Sequence, residues 1–309
     1  MNMLVAKNLT KTYNGGQKIA LKDFSIEVPE GCIYGLLGPN GAGKTTFIRM
    51  LNQIIKPDAG SISINGEALC LKHIREIGYM PEERGLYKNM SVGDQLIYFG
   101  ELKGMSRKAA LDEAKKWFER LNIDQWWKKK ITELSKGMAQ KIQFVVTVIH
   151  RPKLLILDEP FSGFDPVNAN LIKEQIIRLK TEGTTIILST HRMESVEEMC
   201  DFVALINNSQ KVLDGKLFDV KERFKENRFS VEIFNINREM LAKFKEKYSL
   251  NISETVDMSL PLSFEVSGEY EQSAILSDLM TVGDIRRFDE KIPSMNEVFI
   301  SAVERKNPL

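Results

Sequence analysis

At 309 residues, with 43 basic and 42 acidic side chains, the chain is long enough for one large and one small domain, and it carries no electrostatic footprint for nucleic acid or an anionic membrane. Its three cysteines, Cys32, Cys70 and Cys200, are odd in number, widely spaced and without metal-ligand spacing, so they read as buried thiols of a reducing compartment. The N-terminal "MNMLVAKNLTKTY" lacks the apolar core of a signal peptide, and apolar runs such as "FVVTVI" (Phe144 to Ile149) fall far short of the roughly 20 residues that span a bilayer; the expectation is a cytosolic globular protein, for which any work at a membrane would need other subunits to supply the span.

The first residues alternate as strands do, in "MLVAKNLTKTY" and again in "IALKDFSIEVPEG". "GCIYGLLG" is a short apolar run ending in glycine, and "KTTFIRMLNQII" after it has helical spacing. "GSISINGE", Gly60 to Glu67, is another strand closed by an Asn-Gly turn. From about Ser91 to Thr132 the pattern turns helical; Ser106 is an N-cap candidate, with Leu111, Ala114, Phe118 and Leu121 on one face. "KLLILDEP", "TTIILST" and "FVALINNSQKVLDG" follow as strands with helices between them, the alternation of a largely parallel α/β sheet. Beyond Gly215 the pattern restarts. "FSVEIF" and "SFEVSG" read as strands, "NREMLAKFKEKY" and "SMNEVFISAVERK" as helices, the last opened by a capping box of Ser294 and Glu297. The expected domains are therefore 1–215, with a helical subdomain at about 91–134, and a small α+β accessory domain at 216–309.

"GLLGPNGAGKTTF", Gly35 to Phe47, fits Gly-x-x-x-x-Gly-Lys-Ser/Thr from Gly38 to Thr45 without a mismatch. A mobile glycine turn is the bland alternative, but a strand leads into this one and a helix leads out. Glycines let successive N–H groups point inward and keep side chains from blocking a phosphate, and the helix aims its positive end at the same spot. Gly38, Pro39, Asn40, Gly41, Ala42, Gly43, Lys44, Thr45 and Thr46 are thus the expected cradle, with Lys44 offering charge to the β- and γ-phosphates and the Thr45 hydroxyl a ligand to Mg²⁺. "LLILDEP" is an apolar strand ending in two carboxylates. Asp158 suits a water-mediated hold on Mg²⁺, and Glu159 is placed to polarise an attacking water.

From Met3 to Gly215 the chain resembles the nucleotide-binding subunit of an ATP-binding-cassette (ABC) transporter. "LSKGMAQK" (Leu134 to Lys141) resembles the family's signature, "FSGFDP" (Phe161 to Pro166) its D-loop, and "STH", ending in His191, its switch histidine. Tyr13, in "KTYNGG", matches the aromatic that stacks on adenine. The resemblance implies an α/β, P-loop NTPase cassette with a parallel core, antiparallel β and helical subdomains, binding ATP and Mg²⁺. It also implies two subunits head to tail, with Ser135 and Gly137 of one chain, and Asp165 of the D-loop, at the ATP held by Lys44 of the other. "LSKG" alone would be an ordinary N-cap and His191 alone an ordinary histidine; their order along the chain changes that reading. A serine hydroxyl and free N–H groups opening a helix make a credible second anion site.

Two departures stand out. Glu82, in "YMPEERGLY", replaces the family's usual glutamine and is counted among the expected metal ligands, with Thr45 and Asp158. Lys136 and Met138 stand where glycine and glutamine are commoner. These bear on rate and coupling, not on the class of activity. "WWKKK" (Trp126 to Lys130) reads as packing tryptophans beside a solvated basic face, not as a base-stacking site. The expected function is an ATPase subunit, peripheral on the inner face of the cell membrane, that closes as a dimer and powers a separate permease; "PEERGLY" with a small C-terminal domain resembles the subgroup exporting sodium or drug-like compounds. One rival, a soluble cassette ATPase on ribosomes or DNA, usually has two cassettes or a long coiled-coil insertion, and this chain has neither. The other, a non-hydrolytic nucleotide sensor, is opposed by an intact Glu159 and His191.

Overall fold

The computed structural model describes residues 1–83, 85–250 and 261–304; Arg84 of "PEERGLY" and the end of "SMNEVFISAVERK" from Arg305 lie outside them. Contacts divide the chain into two compact units, Met1–Phe218 with residues from Ala302 onward, and Asp219–Ser301. The first contains β1 (Asn2–Tyr13), β2 (Lys18–Pro29), β3 (Ile33–Leu37), α1 (Lys44–Leu51), β4 (Ala59–Ile64), β5 (Glu67–Ala68), β6 (Ile77–Met80), α2 (Val92–Leu102), α3 (Arg107–Leu121), α4 (Lys136–Val148), β7 (Leu154–Asp158), α5 (Pro166–Thr181), β8 (Thr185–Ser189), α6 (Met193–Met199), β9 (Phe202–Asn207) and β10 (Gln210–Lys216).

Strands β3, β7 and β8 are buried along their whole length, which is why "IYGLL", "LLILD" and "TIILS" show no alternation. With β6 and β9 they form a parallel array in the order β10-β9-β3-β8-β7-β6, and β10 closes one edge antiparallel. The register sets Leu36 and Asp158 both opposite Ser189. The chain segments leaving β3, β7 and β8 therefore emerge side by side, in the crevice beyond the carboxyl ends where open α/β sheets take their ligands. β1 and β2 alternate because only one of their faces meets the core, and they join β4 and β5 in an antiparallel sheet. Phe24 and Phe47, 5.0 Å apart, pack β2 against α1. Asn65 and Gly66, at φ 49° and 79°, make the expected tight turn between β4 and β5.

In the helical stretch Ser106 caps α3, accepting from the Ala109 N–H at 3.2 Å. The buried face runs through Ala110, Ala114, Trp117, Phe118 and Leu121, with Leu111 at its margin. Trp117 meets Phe144 of α4 edge-on at 5.8 Å, and Trp127 meets Phe118 at 5.1 Å, so the tryptophans are packing groups. A Cβ on Gly93 would lie 2.3 Å from the Trp127 ring, so α2 needs glycine there. One expectation fails: Cys32 and Cys200 are buried but Cys70 is exposed, because it caps a short surface turn between β5 and β6 and faces no core.

Beyond β10 come α7 (Leu217–Arg223), β11 (Arg228–Phe234), α8 (Arg238–Lys247), β12 (Leu262–Ser267), α9 (Gln272–Val282), β13 (Asp284–Glu290) and α10 (Met295–Glu304). Their antiparallel sheet, ordered β12-β11-β13, buries Phe229, Val231 and Ile233 beneath Leu241, Phe244, Ile275 and Leu279. The Ser294–Glu297 capping box forms in both directions, at 2.8 and 3.3 Å.

His150, just past α4, rests its Nε2 3.2 Å from the Ile77 carbonyl, and its buried Nδ1 has no partner. Lys103 donates to the same carbonyl at 2.7 Å. Burial, then the Lys103 charge, pushes the imidazole pKa down to about 4. Between that value and about 6.5 the unfolded chain binds the proton and the folded chain does not, so this contribution to stability is whole above pH 6.5 and is lost as pH falls toward 4. The loss should reach roughly 2–3 kcal/mol. Urea midpoints measured from pH 7.5 to 4.5 should fall less steeply for His150→Gln than for the parent; parallel curves would contradict this.

Candidate nucleotide site

The loop between β3 and α1 holds a shape that only glycine permits at its ends. Gly38 and Gly43 have φ 145° and 122°, and a Cβ on them would lie 2.1 Å from the Ile206 carbonyl oxygen and 2.6 Å from that of Ala20. The neighbouring strands thus crowd the loop from both sides. Ser209, in the β9–β10 turn, ties them together: its N–H donates to the Ala42 carbonyl at 3.2 Å and its hydroxyl to the Ile19 carbonyl at 2.8 Å. Tyr13 pairs with Lys18 at the end of the same β1–β2 hairpin, partly exposed, with Lys11 Nζ 6.0 Å from its ring.

Lys44 opens α1 and is buried, at 7% exposure. Its Nζ donates to the carbonyls of Gly38 at 2.6 Å and Pro39 at 3.1 Å, bracing the loop from inside. Burial pulls the ammonium pKa down, and the charges of Glu159, Asp158 and Glu82 push it back up. Carboxylates from two parts of the sequence, Glu82 and the consecutive Asp158 and Glu159, thus act on one cation. Asp158, buried at the end of β7, has its pKa raised by burial and by its neighbours Glu159 and Glu82; Ser189 and Lys44 pull the other way. The Ser189 hydroxyl itself is buried without a hydrogen-bond partner of good geometry.

Glu159 follows in a left-handed conformation, φ 50°, which its N–H secures by donating to the Ser189 carbonyl at 2.8 Å. Its side chain is gripped by three donors or near-donors. The Thr190 hydroxyl donates at 3.1 Å, the His191 N–H at 2.9 Å, and His191 Nδ1 lies 2.6 Å from Oε1. The His191 ring is 65% exposed, so it faces the solvent side of the carboxylate. Thr190 is a functional candidate that the sequence reading passed over; its position inside "STH" was the available signal.

Glu82 lies exposed on the segment after β6. Gln143, buried in α4, holds that segment by donating to the carbonyls of Pro81 at 2.9 Å and Glu83 at 3.3 Å, while its own Oε1 has no partner among the described residues. Gln140, one turn earlier, reaches the Pro160 carbonyl at 3.5 Å. Both glutamines sit on the apolar stripe of "MAQKIQFVV", an anomaly that would have marked them. The oxygens of Thr45, Asp158 and Glu82 are hard donors, and the surplus of carboxylates over ammonium fits a site that a divalent cation would neutralise.

Ser135, exposed, caps α4 by accepting from the Met138 N–H at 3.3 Å. A Cβ on Gly137 would meet nothing nearer than the Phe164 ring at 3.9 Å, so packing within the subunit does not explain that glycine. Lys136 lies across Gly163, where a Cβ would come within 2.6 Å of its Cε. Asp165 caps α5, accepting from the Asn168 N–H at 3.0 Å. None of these hydrogen bonds, among the described residues, reaches the Lys44 cluster.

A glycine loop around a buried lysine, a histidine just past the neighbouring strand and two carboxylates at the end of the strand beyond it define a P-loop nucleotide-binding cassette. The ABC transporter family matches residues 21–162, and the C-terminal domain family of DrrA1-3-like ATP-binding proteins matches 215–303. Over 303 residues the chain is 41% identical to the ABC transporter ATP-binding protein YhaQ of Bacillus subtilis (strain 168), covering 97% of this chain and 98% of that one. It is 30% identical over 279 residues to the linearmycin resistance ATP-binding protein LnrL of the same organism, covering 89% and 88%. A solved ATP-binding subunit of an ABC transporter superposes with a TM-score of 0.67 at 30% identity, over 72% of this chain and 93% of that one. The protein belongs to the ATP-binding subunits of ABC transporters. Among the described residues no helix is long and apolar enough to cross a membrane.

Lys44→Ala should abolish the stabilisation that Mg-ATP gives. At a ligand concentration about 100-fold above Kd the parent gains about 2.7 kcal/mol by linkage, and the variant should gain none while still unfolding cooperatively without nucleotide. Thermal unfolding with and without Mg-ATP reads this; equal gains would refute the placement of the phosphates on this loop.

Proposed function

We propose that the chain is the ATP-hydrolysing subunit of an exporter and works as a head-to-tail pair. The observation that carries the reading is the Glu159 carboxylate, buried beside Asp158 and gripped by Thr190 and His191, within electrostatic reach of a Lys44 that braces the phosphate loop. In this reading Gly38 to Thr46 take the phosphates of ATP, and Tyr13 takes its adenine. Thr45, Asp158 and Glu82 hold Mg²⁺, which when bound offsets the negative charge of the phosphates.

Glu159 then serves as general base. Its carboxylate accepts the proton of the attacking water, while the Thr190 hydroxyl and the His191 N–H fix its direction. His191, exposed and adjacent, is positioned to turn toward the γ-phosphate. Ser135, Gly137 and Asp165 serve the ATP of the partner subunit. The open face of Gly137, with no packing role inside its own chain, supports that assignment. Lys136 across Gly163 supports it too, because it ties the signature to the D-loop, so the two would move together.

A permease made of separate subunits supplies the membrane path and holds the protein at the inner face of the cell membrane. The name of LnrL, a linearmycin resistance protein, favours export of drug-like compounds. Residues 1–215 act as the ATPase domain and 216–309 as an accessory domain that tunes pairing.

Glu159→Gln separates binding from chemistry. Glutamine keeps the shape but accepts no proton, so turnover should fall about a hundredfold or more while ATP binding survives. Trapped ATP should then hold two chains together, giving a dimer with ATP and a monomer with ADP on size exclusion. Adding Ser135→Arg should abolish that dimer. A double variant that still pairs on ATP would overturn the head-to-tail arrangement.

A further inference from the structure

The two-residue turn between β9 and β10 is made by Asn208 and Ser209, both left-handed, at φ 47° and 64°. Such a turn takes glycine with least strain at its second position. A serine there strains the backbone, which calls for a gain elsewhere. The hydroxyl supplies one by donating to the Ile19 carbonyl of β2 at 2.8 Å. The Ser209 N–H donates to the Ala42 carbonyl of the phosphate loop at 3.2 Å, and the Ser209 carbonyl accepts from the Lys22 N–H at 2.8 Å. The donor and acceptor groups of this one residue thus bridge the phosphate loop and the β1–β2 hairpin.

The three bonds act at different places. The N–H bond fixes the loop, and any residue but proline could make it. The carbonyl bond holds Lys22, well inside the hairpin. The hydroxyl bond reaches toward the hairpin's tip, because Ile19 pairs with Thr12 and the next pair outward is Lys18 with Tyr13. On the β1 side, Asp58 accepts from the Thr12 N–H at 2.7 Å and from the Thr12 hydroxyl at 2.9 Å. Ser209 is the matching hold on the β2 side, and it also bonds the phosphate loop. The tip itself, Asn14–Gly16, buries no residue, so core packing there does not fix where Tyr13 stands.

We propose that Ser209 is a positioning residue for the adenine base. Its hydroxyl sets the separation between the Tyr13 ring and the phosphate loop, and with it the share of nucleotide affinity that comes from the base. This rests on the reading that Tyr13 takes adenine while Gly38 to Thr46 take the phosphates. Base and phosphates of one nucleotide are covalently linked, so both are held only when ring and loop stand at a matching separation. Without the hydroxyl the tip keeps its strand pairing but ranges over more positions, and binding must order it.

Mg-ADP tests this on the full chain, because it carries adenine and phosphates and is not hydrolysed. Dissociation constants from isothermal titration calorimetry are compared for the parent, Ser209→Ala, Ser209→Gly, Tyr13→Ala and the double variant Tyr13→Ala with Ser209→Gly. Both Ser209 variants should weaken binding about two- to tenfold, the scale of one hydrogen bond. Tyr13→Ala should weaken it about fivefold or more, the scale of a lost stack. The double variant should bind no more weakly than Tyr13→Ala, because the hydroxyl acts through the ring. Without nucleotide, Ser209→Gly should unfold at the same temperature as the parent or a higher one, since glycine relieves the left-handed strain. Unchanged affinity in either Ser209 variant beside a weakened Tyr13→Ala would overturn this proposal alone, and so would additive losses in the double variant. A Ser209→Gly loss accompanied by a lower unfolding temperature would make the serine structural only and overturn it as well. Unchanged affinity in Tyr13→Ala would remove the adenine reading, and this proposal with it.

Discussion

A buried ammonium ion is costly to hold, and in this protein the groups around Lys44 offset that cost. Two loop carbonyls accept hydrogen bonds from it, and the charges of three carboxylates favour it at longer range. Each carboxylate arrives by a different route: Glu82 after β6, Asp158 at the end of β7, Glu159 one residue further in a left-handed turn. The parallel register makes this convergence possible, because it aligns the ends of β3, β7 and β8 at one edge of the sheet. The glycines at 38 and 43 follow from the same constraint, since the loop must pass within contact of two neighbouring backbones to bring Lys44 inward. This arrangement is what the proposed ligand, phosphate accompanied by a divalent cation, would require.

The helix α4 gives this cluster a connection to the rest of the cassette. Its outer end carries Ser135 and Gly137, and its buried side carries Gln140 and Gln143, which hold the backbone at Pro160 and on either side of Glu82. A rigid helix of 13 residues thus links the exposed signature to the two segments that bear carboxylates. A shift of the helix would move Glu82 without breaking any strand. In the proposed pair, that would be a mechanical route from a partner at Ser135 to Glu82.

The phosphate loop, the Asp-Glu pair and the histidine were legible in the chain because each is a local pattern at the end of an apolar run. The parallel sheet was legible for the same reason, since strands covered on both faces show no alternation. What escaped notice depends on contacts across long separations. Ser209 matters only because the β9–β10 turn folds against Ala42 and Ile19, and Thr190 only because Glu159 turns back toward β8. Strand β13 escaped because its pairing shifts register between Glu232 and Ile233, which sets Ile285 and Phe288 three residues apart and breaks the period of two. The exposure of Cys70 escaped because spacing along the chain says nothing about which side of a turn a thiol faces.

If the carboxylates near Lys44 form a cation site that includes Glu82, the residue that departs from the family pattern, hydrolysis depends on that carboxylate through the metal. The direct measurement is the Mg²⁺ dependence of ATP hydrolysis in the parent and in Glu82→Gln, at saturating ATP. A neutral amide oxygen is a weaker ligand for a hard cation, so the variant should need several-fold more Mg²⁺ for half-maximal rate. Superimposable titrations would place Glu82 outside the cation site and contradict its role as a metal ligand.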